Sequence, residues 1–598
     1  MNIKYALSSL GLATALAGCS VDTKLYDGIA LESIDERNLV ELSEGSYRLL
    51  KNDNGLIDNG FQFFALRGDD VCWGGTSTGG TFDFYDYSRN VQSTLTEYGW
   101  ELGYRMIGNC NQIIDMVEAM GDARSEDETV IMGENYYLRG LGYFYLVNWF
   151  AQPYSNNPTQ NPGLPLKLTS DAEDYPDKRS TVEEIYQQVV KDLKAASTYM
   201  TLPAGTLPKN HNHATKEAAQ ALLARVYLYM GDLDNAYLMA DSVIQSGRFE
   251  LLQGEAYYNY PQHVPEDNKE TIFAVRRTRL KDDGSYSRQG GLFFRIDKQG
   301  WEEVYASNPY LELLELNRDE NGFPVDLRSK FVTKRYVEDG TNTDIYGVHG
   351  NENGTYNDWT FVYSRRQSAS SANFVIKQIS VTKQDDGTWK MSDEDAASFQ
   401  NATIQEEDYN LGSRYYVRGT DGVKYIGRIE PRVYNANTLR QKSTDYLVYA
   451  INKFSYQEQF YHLWSPVVSR LAEMYLIRAE YYASKNQVQK ALDDVNVLRR
   501  RAGVPEWTTT NMQTAEAGQP KDIMKIVEEE RMLELAWEGH RSLDIFRKKG
   551  TLNRMYPGGH TLTVGDQFWE VPYNSTAVCE FIPQGQFDQY PYDLEQNP

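Results

Sequence analysis

Between residues 466 and 505 mostly apolar side chains return at helical spacing along two neighbouring lines. Leu471, Tyr475, Arg478 and Tyr482 form one, and Ala472, Leu476 and Ala479 the other. Ser465 can cap a helix and Pro466 suits a first helical position, so the pattern predicts a helix opening there. Asn486 marks a turn. Val488, Ala491, Leu492, Val495 and Leu498 then line a second helix, which Gly503 and Pro505 stop. Small residues at Ala479 and Ala491 let the two helices approach closely. Ala224, Tyr227, Gly231, Ala236 and Ala240 repeat the plan earlier in the chain. Two more segments predict partner helices, at 100–120 and 134–150. The second carries aromatics on every side, as a helix buried nearly all round would.

The two hairpins follow the layout of tetratricopeptide repeats, which bury their apolar faces only by stacking on neighbours. Two distant copies therefore predict one mainly α-helical scaffold, over 36–250 and 466–547, with a tail at 548–598. The stretch 251–465 reads differently. It holds Asp-Gly and Asn-Gly turn signals, among them Asp386-Gly387 and Asp421-Gly422, and short β-type runs such as 271–275 and 373–376. We expect a large irregular insertion of loops, short hairpins and a few helices such as 308–316, unable to build a large core alone and so packed on the scaffold.

The chain has 598 residues and a formal net charge of -24. An acidic surface repels phosphate backbones, which argues against nucleic acid as a partner. The length would ordinarily mean about two to four domains, but the shared helical style favours a single domain over 19–598. Residues 1–18 have the form of a signal peptide, with Lys4 followed by an apolar run from Tyr5 to Ala17 that is too short to span a bilayer. The run ends in Leu16-Ala17-Gly18-Cys19, which resembles a bacterial lipobox. That resemblance implies acylation of Cys19 on its sulfur and on the amine freed by cleavage. Several acyl chains anchor stably, at ~0.8 kcal/mol per buried methylene. Cys72, Cys110 and Cys579 are an odd remainder. A Cys72–Cys110 bridge is open, but buried free thiols are expected, and with no Cys-x-x-Cys pair neither a zinc nor a redox site is.

Together these pieces resemble the SusD/RagB family of outer-membrane nutrient-binding lipoproteins of Bacteroidetes. The segments that carry the resemblance are the lipobox, Trp100–Asn111 with Ile113-Ile114, and the helices at 134–150, 180–196 and 214–232. RLAEMYLIRAE (470–480), RMLELAWEGHRSLDIFR (531–547) and Phe581-Ile582-Pro583-Gln584 complete the set. The resemblance implies a SusD-like fold and a lipid-anchored protein facing the cell exterior. It also implies a partner, a SusC-like TonB-dependent β-barrel over which the protein sits as a lid. The family does not hydrolyse its ligand, and members differ most in the central insertion.

Enzyme motifs are weak. Gly75-Thr76-Ser77-Thr78-Gly79 matches a nucleophile elbow in letters, but loop chemistry surrounds it instead of a strand and a helix. Asn317-x-Asp319-x-Asn321-Gly322 starts like a calcium loop and then places Arg328 where a bidentate Glu is needed. His211 and His213 lack a third ligand, and neither a metal nor a cofactor site is expected. Glu538-Gly539-His540-Arg541 reads as a structural corner in which Arg541 can pair with Asp544, and Trp100 and Trp149 read as core. The ligand candidates lie in the loop after Arg67, whose counterpart in the family contributes to recognition: Asp70, Trp73, Phe84, Tyr85 and Tyr87, around a glycine cluster. Trp301, Tyr310 and Trp359 are similar candidates in the insertion. Aromatic faces suit the apolar faces of sugar rings, and carboxylates suit hydroxyls. A glycan-binding lipoprotein is the leading reading. A RagB-like peptide binder and, more distantly, a surface glycoside hydrolase remain open.

Overall fold

The computed structural model describes residues 36–73, 80–201, 213–279, 288–294, 300–314, 316, 325–338, 341–344, 359–366, 374–409, 412–431, 447–460, 462–515, 518–554 and 570–598. The signal peptide, Cys19, the glycine cluster at 75–79, His211 and 317–324 lie outside the described residues.

Helices run in sequence from the start: α1 (Glu36–Lys51), α2 (Leu56–Leu66), the short α3 (Thr81–Tyr85), α4 (Thr94–Ala119), α5 (Glu126–Phe150), α6 (Val182–Tyr199), α7 (Lys216–Met230) and α8 (Leu233–Gln245). Local chemistry sets their ends. Ser125 with Glu128 and Thr181 with Glu184 form capping boxes before α5 and α6, each satisfying two otherwise orphaned donors. Gly231 closes α7 at φ 78°, a conformation that costs a residue with a Cβ. Most aromatics of α5 are buried, among them Tyr137, Tyr143, Phe144, Trp149 and Phe150, while Tyr136 and Tyr145 are half-buried. A Cβ at Gly99 would lie 2.4 Å from the Trp149 ring, so glycine there lets α4 and α5 meet across the indole.

The second helical run is α10 (Leu471–Ser484), α11 (Val488–Arg501), α12 (Ile523–Glu534) and α13 (Arg541–Arg547), preceded in the middle region by α9 (Asn308–Leu314). The expected turn at Asn486 is present at φ 55°. The two hairpins pack on each other through α8 and α10. Tyr237 stacks on Tyr481 at 4.3 Å between centroids, and Arg478 donates to Asp241 at 2.6 Å and to Asp494 at 2.7 Å. Trp100 and Trp149 are core residues, and Cys72, Cys110 and Cys579 are buried free thiols.

Two expectations need correction. The helix does not open at Pro466. Val467–Arg470 is a strand, β13, paired antiparallel with β2 (Thr271–Ala274), and the helix starts at Leu471. The pairing partner lies almost two hundred residues away, which a local cap signal does not reveal. The middle region also holds more sheet than expected. One antiparallel sheet joins β1 (Val71–Trp73), β3 (Val304–Ala306), β12 (Leu447–Ile451), β4 (Val332–Glu338) and β5 (Thr341–Asp344), in that order. A closed six-stranded barrel is built from β6 (Trp359–Arg366), β7 (Phe374–Lys383), β8 (Trp389–Met391), β9 (Thr403–Tyr409), β10 (Gly412–Arg418) and β11 (Lys424–Pro431). The barrel has a core of its own in Phe361, Tyr363, Ile379, Val381, Met391 and Val417, so this part of the insertion does not depend on the scaffold for burial.

Buried ions tie the remaining insertion to the helices. Arg470 donates to Glu270 at 2.8 Å and Glu534 at 2.6 Å, Arg501 pairs with both carboxylates at 2.6 Å, and Arg328 pairs with Asp326 at 2.7 Å and Glu530 at 2.6 Å. These cations hold Glu534 well below the usual carboxylate range against the desolvation that would raise it. The chain's two ends also close on each other. Arg67 Nη1 donates to Glu580 at 3.2 Å, and Arg554 Nη2 donates to the carbonyls of Leu66 at 2.7 Å and Gly68 at 2.9 Å. No described helix is long and apolar enough to cross a membrane.

Candidate functional site

The loop after α2 is held from both sides. Its first part forms β1, which pairs with β3 through Val71 with Ala306, Cys72 with Tyr305 and Trp73 with Val304. Its second part forms α3 and turns back at Tyr87, which adopts φ 62° and donates its hydroxyl to the Arg67 carbonyl at 2.7 Å.

This arrangement turns the proposed ligand face inward. Asp70 Oδ2 accepts the Trp537 backbone N–H at 2.9 Å, and the Asp70 carbonyl accepts the Trp537 indole N–H at 2.9 Å. Burial pushes the Asp70 carboxyl up to about 6, and the bond from Trp537 only partly offsets this. Trp73 is fully buried, with ring contacts to Phe82 at 5.3 Å and Tyr85 at 5.9 Å. Phe84 meets Phe63 edge-on at 5.4 Å, and the guanidiniums of Arg554 and Arg67 lie over Tyr85 at 4.0 Å and Tyr87 at 3.9 Å. Tyr310, on α9, packs on Trp537 at 4.6 Å. Asp70, Trp73, Phe84, Tyr85, Tyr87 and Tyr310 are therefore one internal network rather than a contact surface. The physical reason is the pairing of β1 with β3, which swallows an aromatic cluster whose spacing alone resembles an exposed platform.

Trp301 and Trp359 stand outside that network. Trp301 is 56% exposed, while its backbone N–H donates to the Gly291 carbonyl at 2.6 Å and its ring lies close over Gly291. The chain is thus fixed and the indole faces water. Trp359 opens β6 and is half-buried, with Trp389 at 5.3 Å across β7. Pro431 and Val381 are its register partners, which places the pair at the end of the barrel where the chain enters and leaves. Trp389 escaped selection from sequence, although the Asp386-Gly387 hairpin turn before it marks where β7 returns.

The remaining candidates take structural roles. His213 bonds to Glu44 at 2.7 Å on the wall of a groove of about 780 Å³, which Tyr47, Lys51, Asp53 and Arg276 also line. Tyr47 donates to Glu134 at 2.9 Å, and burial pushes that carboxyl up to about 7. His540 is buried, and desolvation lowers it to about 4, so it is neutral at pH 7. Arg541 does not pair with Asp544 as expected. It grips Asp69 through Nε at 2.5 Å and Nη2 at 3.0 Å, and Asp544 goes to Arg531 and Arg547. Among the described residues no group of three or more His, Cys, Asp or Glu side chains is placed to hold a metal ion.

Comparison with known proteins agrees along the chain. A family model described as SusD family matches residues 269–598, and one described as starch-binding, associating with outer membrane, matches 76–228. Two SusD-like proteins of Formosa agariphila, P2 and P25, are each 23% identical. P2 aligns over 91% of this chain and 91% of its own length, and P25 over 84% and 81%. Among solved structures, a SusD superfamily protein from Bacteroides thetaiotaomicron superposes with a TM-score of 0.66 at 21% identity, covering 95% of this chain and 100% of that one. A SusD-like carbohydrate binding protein from Bacteroides vulgatus does so with a TM-score of 0.61 at 18% identity, covering 93% and 97%. At these identities the structural likeness establishes the fold.

Proposed function

Because the chain belongs to the SusD family, we propose that it is a non-catalytic, cell-surface glycan-binding lipoprotein. In this reading it captures oligosaccharide or polysaccharide and delivers it to a SusC-like TonB-dependent barrel. Acylated Cys19 anchors it in the outer membrane facing the cell exterior, and the domain spans 19–598 with ligand-variable chemistry in 251–465.

Trp301 carries the ligand part of this reading. An indole left 56% exposed on a fixed backbone is an apolar platform in water, and such faces suit the C–H faces of sugar rings. Trp359 with Trp389 is a second aromatic pair within reach of solvent. The description of the matching amino-terminal family model, and the carbohydrate-binding relative of the same fold, support the glycan class.

Trp301→Ala tests the reading. Calorimetric titration against a panel of neutral oligosaccharides should show binding weakened at least tenfold, about 1.4 kcal/mol, with an unchanged melt and no cleaved product. Equal affinities would remove Trp301 from the site. Titration of extended peptides in place of sugars would redirect the function to the peptide-binding alternative, and cleavage in proportion to protein would restore the hydrolase.

A further inference from the structure

The two ends of the inserted barrel differ. Its interior is filled by Phe361, Tyr363, Ile379, Val381, Met391 and Val417. A small barrel filled in this way can hold a ligand only at a mouth. The chain itself covers one mouth. The segment 392–402, between β8 and β9, lays Phe399 against Tyr363 at 6.1 Å and Tyr425 at 6.4 Å. Phe399 also bridges to Gly419, in the turn between β10 and β11.

The other mouth is furnished differently. Trp359 lies two positions before Phe361 on β6, Lys383 two after Val381 on β7, and Trp389 two before Met391 on β8. Residues two apart share one face of a strand. Trp359, Lys383 and Trp389 are therefore the last positions of the inward face at this end. The two indoles meet at 5.3 Å with their planes inclined at 57°. Both are half-buried, so they close the core while ring surface stays in water. Lys383 is exposed, and its Nζ lies 5.7 Å from the centre of the Trp389 ring. Among the described residues no carboxylate pairs with Lys383, although the chain carries -24.

Closing a barrel end needs less than this, since Phe399 does so opposite with one ring. Two partly wetted indoles beside an ammonium offer apolar faces for the C–H face of a sugar ring and N–H donors for its hydroxyls.

We propose that this mouth is a second glycan subsite, which takes a neutral pyranose ring against Trp359 and Trp389 while Lys383 donates to its hydroxyls. The inference rests on the glycan class proposed above but not on Trp301, which lies outside the barrel. The protein then grips one polysaccharide at two places, and the second contact becomes intramolecular once the first is made.

The test is calorimetric titration of the full mature chain with cellohexaose, maltohexaose, xylohexaose and mannohexaose. At least one should fill two sites per chain in wild type, and one site in each of Trp301→Ala and Trp389→Ala. The polysaccharide of the same sugar should bind at least about tenfold more weakly to either variant than to wild type. Lys383→Gln, at an exposed position, should weaken the barrel site roughly threefold or more. Oxidation of the unaltered chain by N-bromosuccinimide, read by peptide mapping, needs no variant to fold, and bound sugar should protect Trp359 and Trp389. One site per chain with wild-type affinity in Trp389→Ala, or unprotected Trp359 and Trp389, overturns the barrel subsite and leaves the Trp301 reading standing. Binding kept in Trp301→Ala and lost in Trp389→Ala retains the barrel subsite and removes Trp301. Failure of all four sugars to bind overturns both.

Discussion

Removing the Trp73 indole should cost the fold about 3–5 kcal/mol, the range for emptying a large buried aromatic site. The ring is fully enclosed between Phe82 and Tyr85, and nothing but a cavity replaces it. Thermal melts of Trp73→Ala should therefore drop sharply, whereas a wild-type melt would return Trp73 to the surface and to the ligand. Asp70 makes a second, pH-dependent prediction. Its carboxyl sits at about 6 in the folded chain and near 3.9 when unfolded, so the native state binds the proton more tightly. Its contribution is then complete below pH about 4 and is lost as pH rises to about 6. Asp70→Asn keeps an acceptor for Trp537 but cannot ionise. The wild-type melting temperature should fall relative to the variant's between pH 4 and 6, then run parallel above. A constant difference across that range would mean that Asp70 does not titrate there. The exposure of these residues was the part of the site hidden from sequence. Tryptophan and tyrosine in a glycine-rich stretch look alike whether they face water or a strand 230 residues away, whereas Trp301 was named as a candidate from the same kind of signal and does face water.

At the level of elements, the barrel makes the clearest prediction. Its first and last residues, Trp359 and Pro431, are neighbours in register, and its core contains no residue of the scaffold. Replacing 360–430 by a linker of about three residues, which spans the gap between adjacent strands, should leave the rest of the chain folded. A single cooperative melt within a few degrees of wild type is expected, and an aggregated product would show that the barrel is needed for the body. The helices were legible because their signals are local: capping boxes at Ser125 and Thr181, a left-handed glycine at 231, and a 3.6-residue period. The barrel was not, because its hairpins announce themselves at Gly387 and Gly422 while closure depends on β11 meeting β6 across some sixty residues. Pro466 misled for a related reason. A proline before an apolar run suits a helix start, and the partner strand that captures Val467–Arg470 is distant.

On the scale of the whole molecule, the middle region is stitched to the helices on either side of it in sequence by Glu270 and Arg328. The proposed lipid anchor is tested on the whole chain as well. Cys19→Ala should move the protein from the membrane fraction to the soluble fraction, or leave it with its leader attached. Unchanged partitioning into detergent would sink the lipid anchor.

The contact between Arg67 and Glu580 spans 513 positions and is almost completely buried. More than five hundred residues must be made after that arginine before it can meet its carboxyl partner. Contacts so distant along the chain close slowly, because loop closure must come before they form. A chain cut short before residue 577 would lose both the Ala577 carbonyl and Glu580 as partners of that guanidinium, which is strongly destabilising. Truncated products should be degraded as unfolded chains, and limited proteolysis should recover no stable fragment from them.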